Sequence, residues 1–434
     1  MTLRQTTKQR SAGYRYFIAG MLAFAYILNA LDRQIVAVLG RHISNDLHLT
    51  KTEFGLLGGT AFAVFYTVCG VPVAWMSERR NRAHVIALAC AVWSVFTALC
   101  GMTKDVVQIA LCRMGVGLGE AGGSPPSYSL ISDYFPPSER ATALAIYSLG
   151  YPLGSMLGVF LGGRIADTLG WRAAFYILGA PGVVVALLLF LTVEDPRRSG
   201  RTRRSDDTYR ESQPSLRLSI MSCLSNRTML VTGLTSGLSA FVLYAILIWN
   251  PQFLELAKGM SGTDVANIYS AVLGIAGVAG IIAGGWLADR LGRSDQRWFA
   301  WLPAIASLLA IPFWIVMLHS STWQVTMACL AVTLVLLHVY LAPCLALVQN
   351  TAAPVLRAVS GAVLLLMLNL VGLGLGPVYV GRIADAMDST YGHNALAVSY
   401  YALIPVMVLA AGAYIFASFT IDRNPRAVSL SPTQ

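Results

Sequence analysis

The chain reads as an all-α membrane protein, with twelve transmembrane helices in two six-helix bundles, each bundle built from two inverted three-helix repeats. Three observations predict this. Of 434 residues, 56% are hydrophobic and 12% are charged, against roughly a quarter charged in an ordinary soluble domain, so more apolar surface is present than a globule in water can bury. Twelve apolar runs are long enough to cross a bilayer core, because about 20 residues make about 30 Å of helix. One short motif recurs at the ends of the second, fifth, eighth and eleventh runs, which exposes a repeat.

The runs occupy approximately 14–40, 53–76, 83–102, 106–131, 141–166, 172–193, 228–254, 265–288, 298–318, 323–349, 359–384 and 395–420. The first has a basic lead-in (Arg4, Lys8, Arg10, Arg15), as a signal peptide would. It is longer than a signal core and carries Asp32 and Arg33, so it is expected to stay as helix 1. Glycine and proline recur inside the runs, which lipid-buried helices tolerate because neighbouring helices satisfy the freed backbone groups. On helix 5, Gly150, Gly154, Gly158 and Gly162 fall at four-residue spacing beside Pro152, a face suited to close helix packing. The longest polar stretch, rich in Arg, Ser, Asp and Pro, has linker composition. It divides the chain into an N-terminal bundle (1–193), a cytoplasmic linker (194–227) and a C-terminal bundle (228–434).

A net charge of +10 raises the question of nucleic acid, and the placement of the charges answers it. With the N-terminus inside, most of the 31 lysines and arginines fall in the inside segments, among them Arg203 and Arg204 of the linker. That is the positive-inside pattern. It puts both termini in the cytoplasm, makes the lipid bilayer the partner of the basic segments, and leaves no nucleic-acid role. The seven cysteines and six histidines show no metal-ligand spacing. No metal or cofactor is expected. No GxSxG or HExxH appears, and the GVGLGE run on helix 4 follows no strand, so an enzyme is not indicated.

The recurrent motif reads AWMSERRNR from Ala74, GRIADTLG from Gly163, GWLADRLGR from Gly285 and GRIADAM from Gly381. It sits on the second helix of each triplet and alternates between the two sides of the membrane. Inverted repeats nested in parallel halves have this signature. The pattern resembles the major facilitator superfamily over essentially the whole chain. Gly285 to Arg293 matches that family's loop signature in full, while the first-half copy has Ala74, Glu78 and Asn81 where Gly, Asp and Gly are usual.

The resemblance implies a lock that holds the halves closed on the cytoplasmic side, formed here by Glu78, Arg79, Arg82, Asp289, Arg290 and Arg293. Physical chemistry points the same way for the acids. Glu78 and Asp289 lie at helix C-termini, where the macrodipole disfavours an anion, so each needs an arginine or another helix's N-terminus.

A narrower resemblance is to the Spinster-like branch. It rests on NALDRQIVAVL from Asn29, on the segment RMGVGLGEAGGSPPSYSLISDYFPPSERATALAIYSLGYPLG from Arg113, and on LGWRAAFYILGAPG from Leu169. It implies carriage of lipid-like amphiphiles in animals and leaves the substrates of bacterial members mostly open; the chain itself is expected to be a monomer in a cell membrane, the inner membrane of a bacterium.

Four ionisable residues stand out deep within the runs: Asp32 and Arg33 on helix 1, Arg113 and Glu120 on helix 4. Each costs several kcal/mol in lipid unless paired or hydrated, so each is a functional candidate. Asp32 lies eight residues before Gly40 and Arg113 eight after Asp105, so both should sit about 12 Å below the outer boundary. Glu120 is seven residues further along, on nearly the same face and about 10 Å deeper, where Arg33 or Arg113 could reach it through a long side chain. In the fold that the resemblance implies, helices 1 and 4 line the central cavity.

The cluster is neutral when all four are ionised. Protonating Asp32 or Glu120 then leaves a guanidinium free for a carboxylate or phosphate, which links protons to an anionic substrate. Asp32 and Glu120 are therefore the candidates for proton coupling. Arg33, Arg113, Asn29, Asn250, His338 and Asn369 are the candidates for binding the substrate. The second half has almost no charge at mid-depth, and an amphipathic anion fits a cavity charged on one wall and apolar on the other. A carrier of organic anions that works by exchange, or on another ion gradient, is the alternative.

Overall fold

The computed structural model of the protein describes residues 11–135, 137–196, 215–352 and 357–421. Among them there are helices and no strands. The N-terminal stretch contains α1 (Ala12–Val38), α2 (Gly40–Leu47), α3 (Lys51–Gly55), α4 (Ala61–Arg79) and α5 (Arg82–Cys100). It continues through α6 (Val106–Glu120), α7 (Ser124–Tyr134), α8 (Pro137–Ser148), α9 (Gly150–Leu169) and α10 (Trp171–Thr192). The C-terminal stretch contains α11 (Leu216–Ser225), α12 (Arg227–Lys258), α13 (Gly262–Asp264), α14 (Ser270–Gly292), α15 (Trp298–His319) and α16 (Trp323–His338). It ends with α17 (Leu341–Thr351), α18 (Arg357–Met367), α19 (Gly374–Tyr391), α20 (Ala395–Tyr401) and α21 (Leu403–Ser418).

Side-chain caps set many of the starts. Ser11, Thr50, Asn81, Asp105, Ser215, Asn226 and Ser261 each accept a hydrogen bond from a first-turn amide, and Thr50 with Glu53 forms a reciprocal capping box. Three helical runs pass through π-helical turns, at Leu56–Thr60, Val265–Tyr269 and Leu368–Leu373. Such turns are rare in general and concentrate at functional places.

Ten helices among the described residues are long and apolar enough to cross a membrane. The stretches 106–131 and 141–166, which the sequence reads as single spans, fold instead as α6 then α7 and α8 then α9. The first break follows Glu120, where Gly122 and Gly123 form a turn and α7 begins on Ser124 with Pro125 and Pro126. Proline lacks the amide donor that a continuing helix needs, but a first turn does not need it. Large apolar side chains such as Leu88, Leu111, Leu191, Ile275 and Phe416 are exposed. Water would not tolerate so many, whereas lipid does. The chain is a multi-pass membrane protein.

The glycine face of α9 packs on α1. A Cβ at Gly150 would come within 2.8 Å of the Ala23 carbonyl oxygen, and one at Gly158 within 2.7 Å of that of Leu31. The expected packing role of these residues is what the structure has, and it brings α1 against α9 over most of their length.

The two stretches meet most firmly at one end. There, Asp385 of α19 accepts from the Lys51 and Thr52 amides at 2.9 and 2.7 Å, so it caps α3 from the opposite stretch. Lys51 pairs with Asp388 at 2.6 Å and Arg41 with Glu255 at 3.2 Å. Asp167 accepts from the Thr263 hydroxyl, and Arg164 donates to Asn267 at 3.0 Å. Backbone meets backbone as well, since a Cβ on Gly55 would lie 2.6 Å from the Pro377 carbonyl oxygen. Asp167 and Asp385 are the aspartates of the fifth-run and eleventh-run copies of the recurrent motif.

Candidate functional site

Two of the four intramembrane charges, Arg33 and Arg113, share one aromatic ring. Arg33, on α1, donates to Glu120 at 2.7 Å, and the acid is fully buried while the guanidinium keeps a little exposure. Phe62, on α4, is near both guanidiniums, with Arg33 5.0 Å and Arg113 5.1 Å from its ring centroid. Tyr66, one turn along α4, stacks on Phe62 and takes Arg33 at 4.6 Å. Aromatic faces attract cations, more strongly where water is scarce, so this ring holds two positive charges that would otherwise repel each other.

Asp32 and Arg113 behave differently from Arg33 and Glu120. Equal depth suggested that they would meet. Instead the Thr97 hydroxyl of α5 donates to Asp32 at 2.9 Å, and no ion pair within 4.0 Å joins Asp32 to an arginine among the described residues. Arg113 is 2% exposed, and no described residue bonds to its Nε. One oxygen each of Asp32, Glu120 and Asn29 is also buried without a partner. A cluster with this many open valences costs free energy as it stands.

Sequence left Arg33 and Arg113 both within reach of Glu120 and could not choose between them, because depth fixes height along the bilayer and leaves open how each helix is turned about its axis. Arg33 lies about 100° around α1 from Asp32, and that rotation puts Arg33 on the face toward α6 and Asp32 on the face toward α5. Thr97, Phe62 and Tyr66 carried no sequence signal beyond being a polar and two aromatic residues inside apolar runs.

The remaining candidates form networks of their own. Asn29 lies beside Glu120. His338 contacts the α16 backbone, with Nδ1 2.7 Å from the Leu334 oxygen, and packs against Gly277 and Gly280 of α14. Asn250 accepts from the Tyr400 hydroxyl at 3.1 Å, and Asn369 donates to Leu365 within its own helix.

Among the gate candidates, the Glu78 side chain lies outside the described residues. Arg79 is exposed and folds over Trp75 at 3.5 Å. Arg82 is buried, with Asp195 gripping it from two sides and Asp133 at 2.7 Å, all within the N-terminal stretch. Asp289, Arg290 and Arg293 are exposed, and none has an ion pair among the described residues. The two cross-stretch ion pairs among the described residues, Arg41–Glu255 and Lys51–Asp388, lie at the opposite end. Among the described residues the motif copies are thus engaged across the stretches at one end, with no ion pair joining them at the other. Sequence shows that four copies exist, but which pair is engaged belongs to the conformation.

Comparison with known proteins follows the same lines. The pattern described as Major Facilitator Superfamily matches residues 22–377. An MFS-type efflux pump of Mycolicibacterium smegmatis is 31% identical over 397 residues, 90% of this chain and 89% of that one. A hexuronate transporter of Bacillus subtilis is 25% identical, over 95% of this chain and 94% of that one. The crystal structure of a bacterial homologue of the human lysosomal transporter Spinster, inward-facing and unoccupied, superimposes with a TM-score of 0.84 at 28% identity, covering 96% of this chain and 100% of that one.

Proposed function

The chain belongs to the Major Facilitator Superfamily, and from that premise we propose that it is a proton-coupled secondary transporter of a small, amphipathic, lipid-like organic anion, working by alternating access. Twelve spans are proposed, with α6–α7 and α8–α9 supplying the two interrupted ones, in bundles 1–193 and 228–434 joined by a cytoplasmic linker. The protein is proposed to act as a monomer in a bacterial inner membrane, with both termini in the cytoplasm.

One observation carries the substrate charge. Arg113 is a buried guanidinium with no described counter-ion within 4.0 Å, a state that costs several kcal/mol and that an incoming carboxylate or phosphate relieves. The relative named a hexuronate transporter carries an anion by that name, which supports the charge though not the amphipathic part.

Proton coupling is assigned to Asp32, the acid that lacks a cation at ion-pair distance, with Glu120 as its competitor for the arginines. A proton on Asp32 leaves the cluster one positive charge in excess, and the anion neutralises it at Arg113. The test is uptake into proteoliposomes with a pH-sensitive dye inside. A lumen pH that moves with substrate entry supports coupling. Uptake with no pH change, stimulated instead by substrate loaded inside, would favour the exchange alternative.

The conformation supports a gate at the Asp289 end. The end bearing Asp167 and Asp385 is held together, and the Spinster homologue that superimposes on the chain is described as inward-facing. The Asp289 end is then the open, cytoplasmic one. Glu78, Arg79, Asp289, Arg290 and Arg293 are proposed to engage when it closes, with Arg82 as their fixed anchor. Asp289→Ala should populate the conformation described here and slow the transport cycle, and spin-label distances between α4 and α14 should read longer. Unchanged distances would remove the gate assignment, because a residue that biases neither state cannot act as a lock.

A further inference from the structure

We propose that the apolar part of the substrate is a flat aromatic ring system and not an alkyl chain, selected by tyrosines from both stretches. The inference rests on the anion-carrier reading, which supplies the charged end at Arg113, and it narrows the lipid-like part of that reading to an aryl group. Beside Arg33 lies a group of tyrosines. Tyr26 of α1 stacks on Tyr147 of α8, centroids 4.7 Å apart and planes within 5°. Tyr151 leans on Tyr26 at 6.0 Å, and Tyr128 meets Tyr147 edge-on at 5.2 Å. Arg33 covers Tyr66 and lies within electrostatic reach of Tyr151 and of Tyr244, which belongs to the C-terminal stretch. Tyr26, Tyr66, Tyr151 and Tyr244 are each half-buried. No described residue hydrogen-bonds to the hydroxyl of Tyr26 or Tyr66.

Two physical differences favour an aryl group on such a wall. An alkyl chain lying across phenol hydroxyls strips their water and returns no hydrogen bond, a loss at every hydroxyl it covers. It also surrenders the freedom of each torsion that it fixes. A rigid ring stacks on one tyrosine or meets another edge-on, the two geometries already present among these side chains, and leaves the hydroxyls at the ring edges wet. A wall built for alkyl chains would present Leu, Ile and Val, whereas the side chains named around Arg33 are tyrosines.

The test separates charge from ring. Purified full-length protein is titrated calorimetrically with 2-naphthoate, octanoate, 2-naphthylmethanol and octanol. We expect 2-naphthoate to bind about tenfold more tightly than octanoate, a difference of about 1.4 kcal/mol. Tyr26→Leu with Tyr66→Leu should bring that ratio near one while octanoate changes little, whereas Tyr26→Phe with Tyr66→Phe should keep it. Octanoate binding as tightly as 2-naphthoate to the unaltered protein overturns the inference, and so does a ratio that survives the double leucine variant. Should the leucine variant fail to fold, the ratio in the unaltered protein decides. Equal affinity for 2-naphthoate and 2-naphthylmethanol would leave the ring preference standing and remove the anion reading. Binding of none of the four probes counts against both.

Discussion

Asp32→Asn should abolish gradient-driven transport while leaving substrate affinity within about threefold, under 1 kcal/mol. Asparagine is nearly isosteric with a protonated aspartate and can still accept from the Thr97 hydroxyl, so the local packing between α1 and α5 survives. What disappears is the alternation of charge. In the unaltered protein, substrate binding should tighten as pH falls, because protonating Asp32 leaves the cluster positive and Arg113 attractive to an anion. In the variant the cluster is positive at every pH, so binding should lose most of its pH dependence. Counterflow, in which labelled substrate exchanges with unlabelled and no net proton moves, should persist. Proton-driven uptake at the normal rate in Asp32→Asn would sink the assignment, and the same result in Glu120→Gln would leave the four charges a structural device.

Arg113→Ala is the second large effect, and it should fall on binding instead of coupling. A guanidinium gripping a carboxylate or phosphate contributes about 2–3 kcal/mol, so affinity should drop roughly 30- to 150-fold. The fold should tolerate the change, because Arg113 has no ion pair to lose among the described residues and its aromatic contact is to Phe62. Thermal stability without substrate should hold or rise, since an unpaired buried charge has gone. Arg113→Lys restores the charge but not the planar fork, and should recover only part of the affinity. Equal substrate affinity in Arg113→Ala and the unaltered protein would place the anion elsewhere, with Arg33 the next residue to test.

How far the sequence could be read depended on which property each feature expresses. Ionisable residues inside apolar runs announce themselves, so Asp32, Arg33, Arg113 and Glu120 were all legible, and the structure does bring them into one neighbourhood. Which arginine pairs with Glu120 was not legible, because depth along a helix is set by counting residues while azimuth depends on how helices pack. Thr97 and Phe62, which decide where Asp32 and Arg113 sit, look like ordinary residues of a span. The interruption after Glu120 was written in Gly122, Gly123, Pro125 and Pro126, but hydropathy averages across a two- or three-residue turn and reads through it. Arg82 illustrates the limit of motif reading: its position belongs to the loop signature, yet its bonds run to Asp195 and Asp133 of its own stretch.

The same interruption predicts how suppressor mutations should be distributed. Because α6 stops at Glu120, that carboxylate stands at the negative pole of its own helix, where an anion is disfavoured, and it depends on Arg33 for compensation. Arg33 is less dependent in return, since the rings of Tyr66 and Phe62 still hold it if the acid is neutralised. Second-site genetics should therefore be one-directional. A selection for restored function in Arg33→Leu should return changes at Glu120 to a neutral residue, whereas Glu120→Gln should call for no compensating change at Arg33.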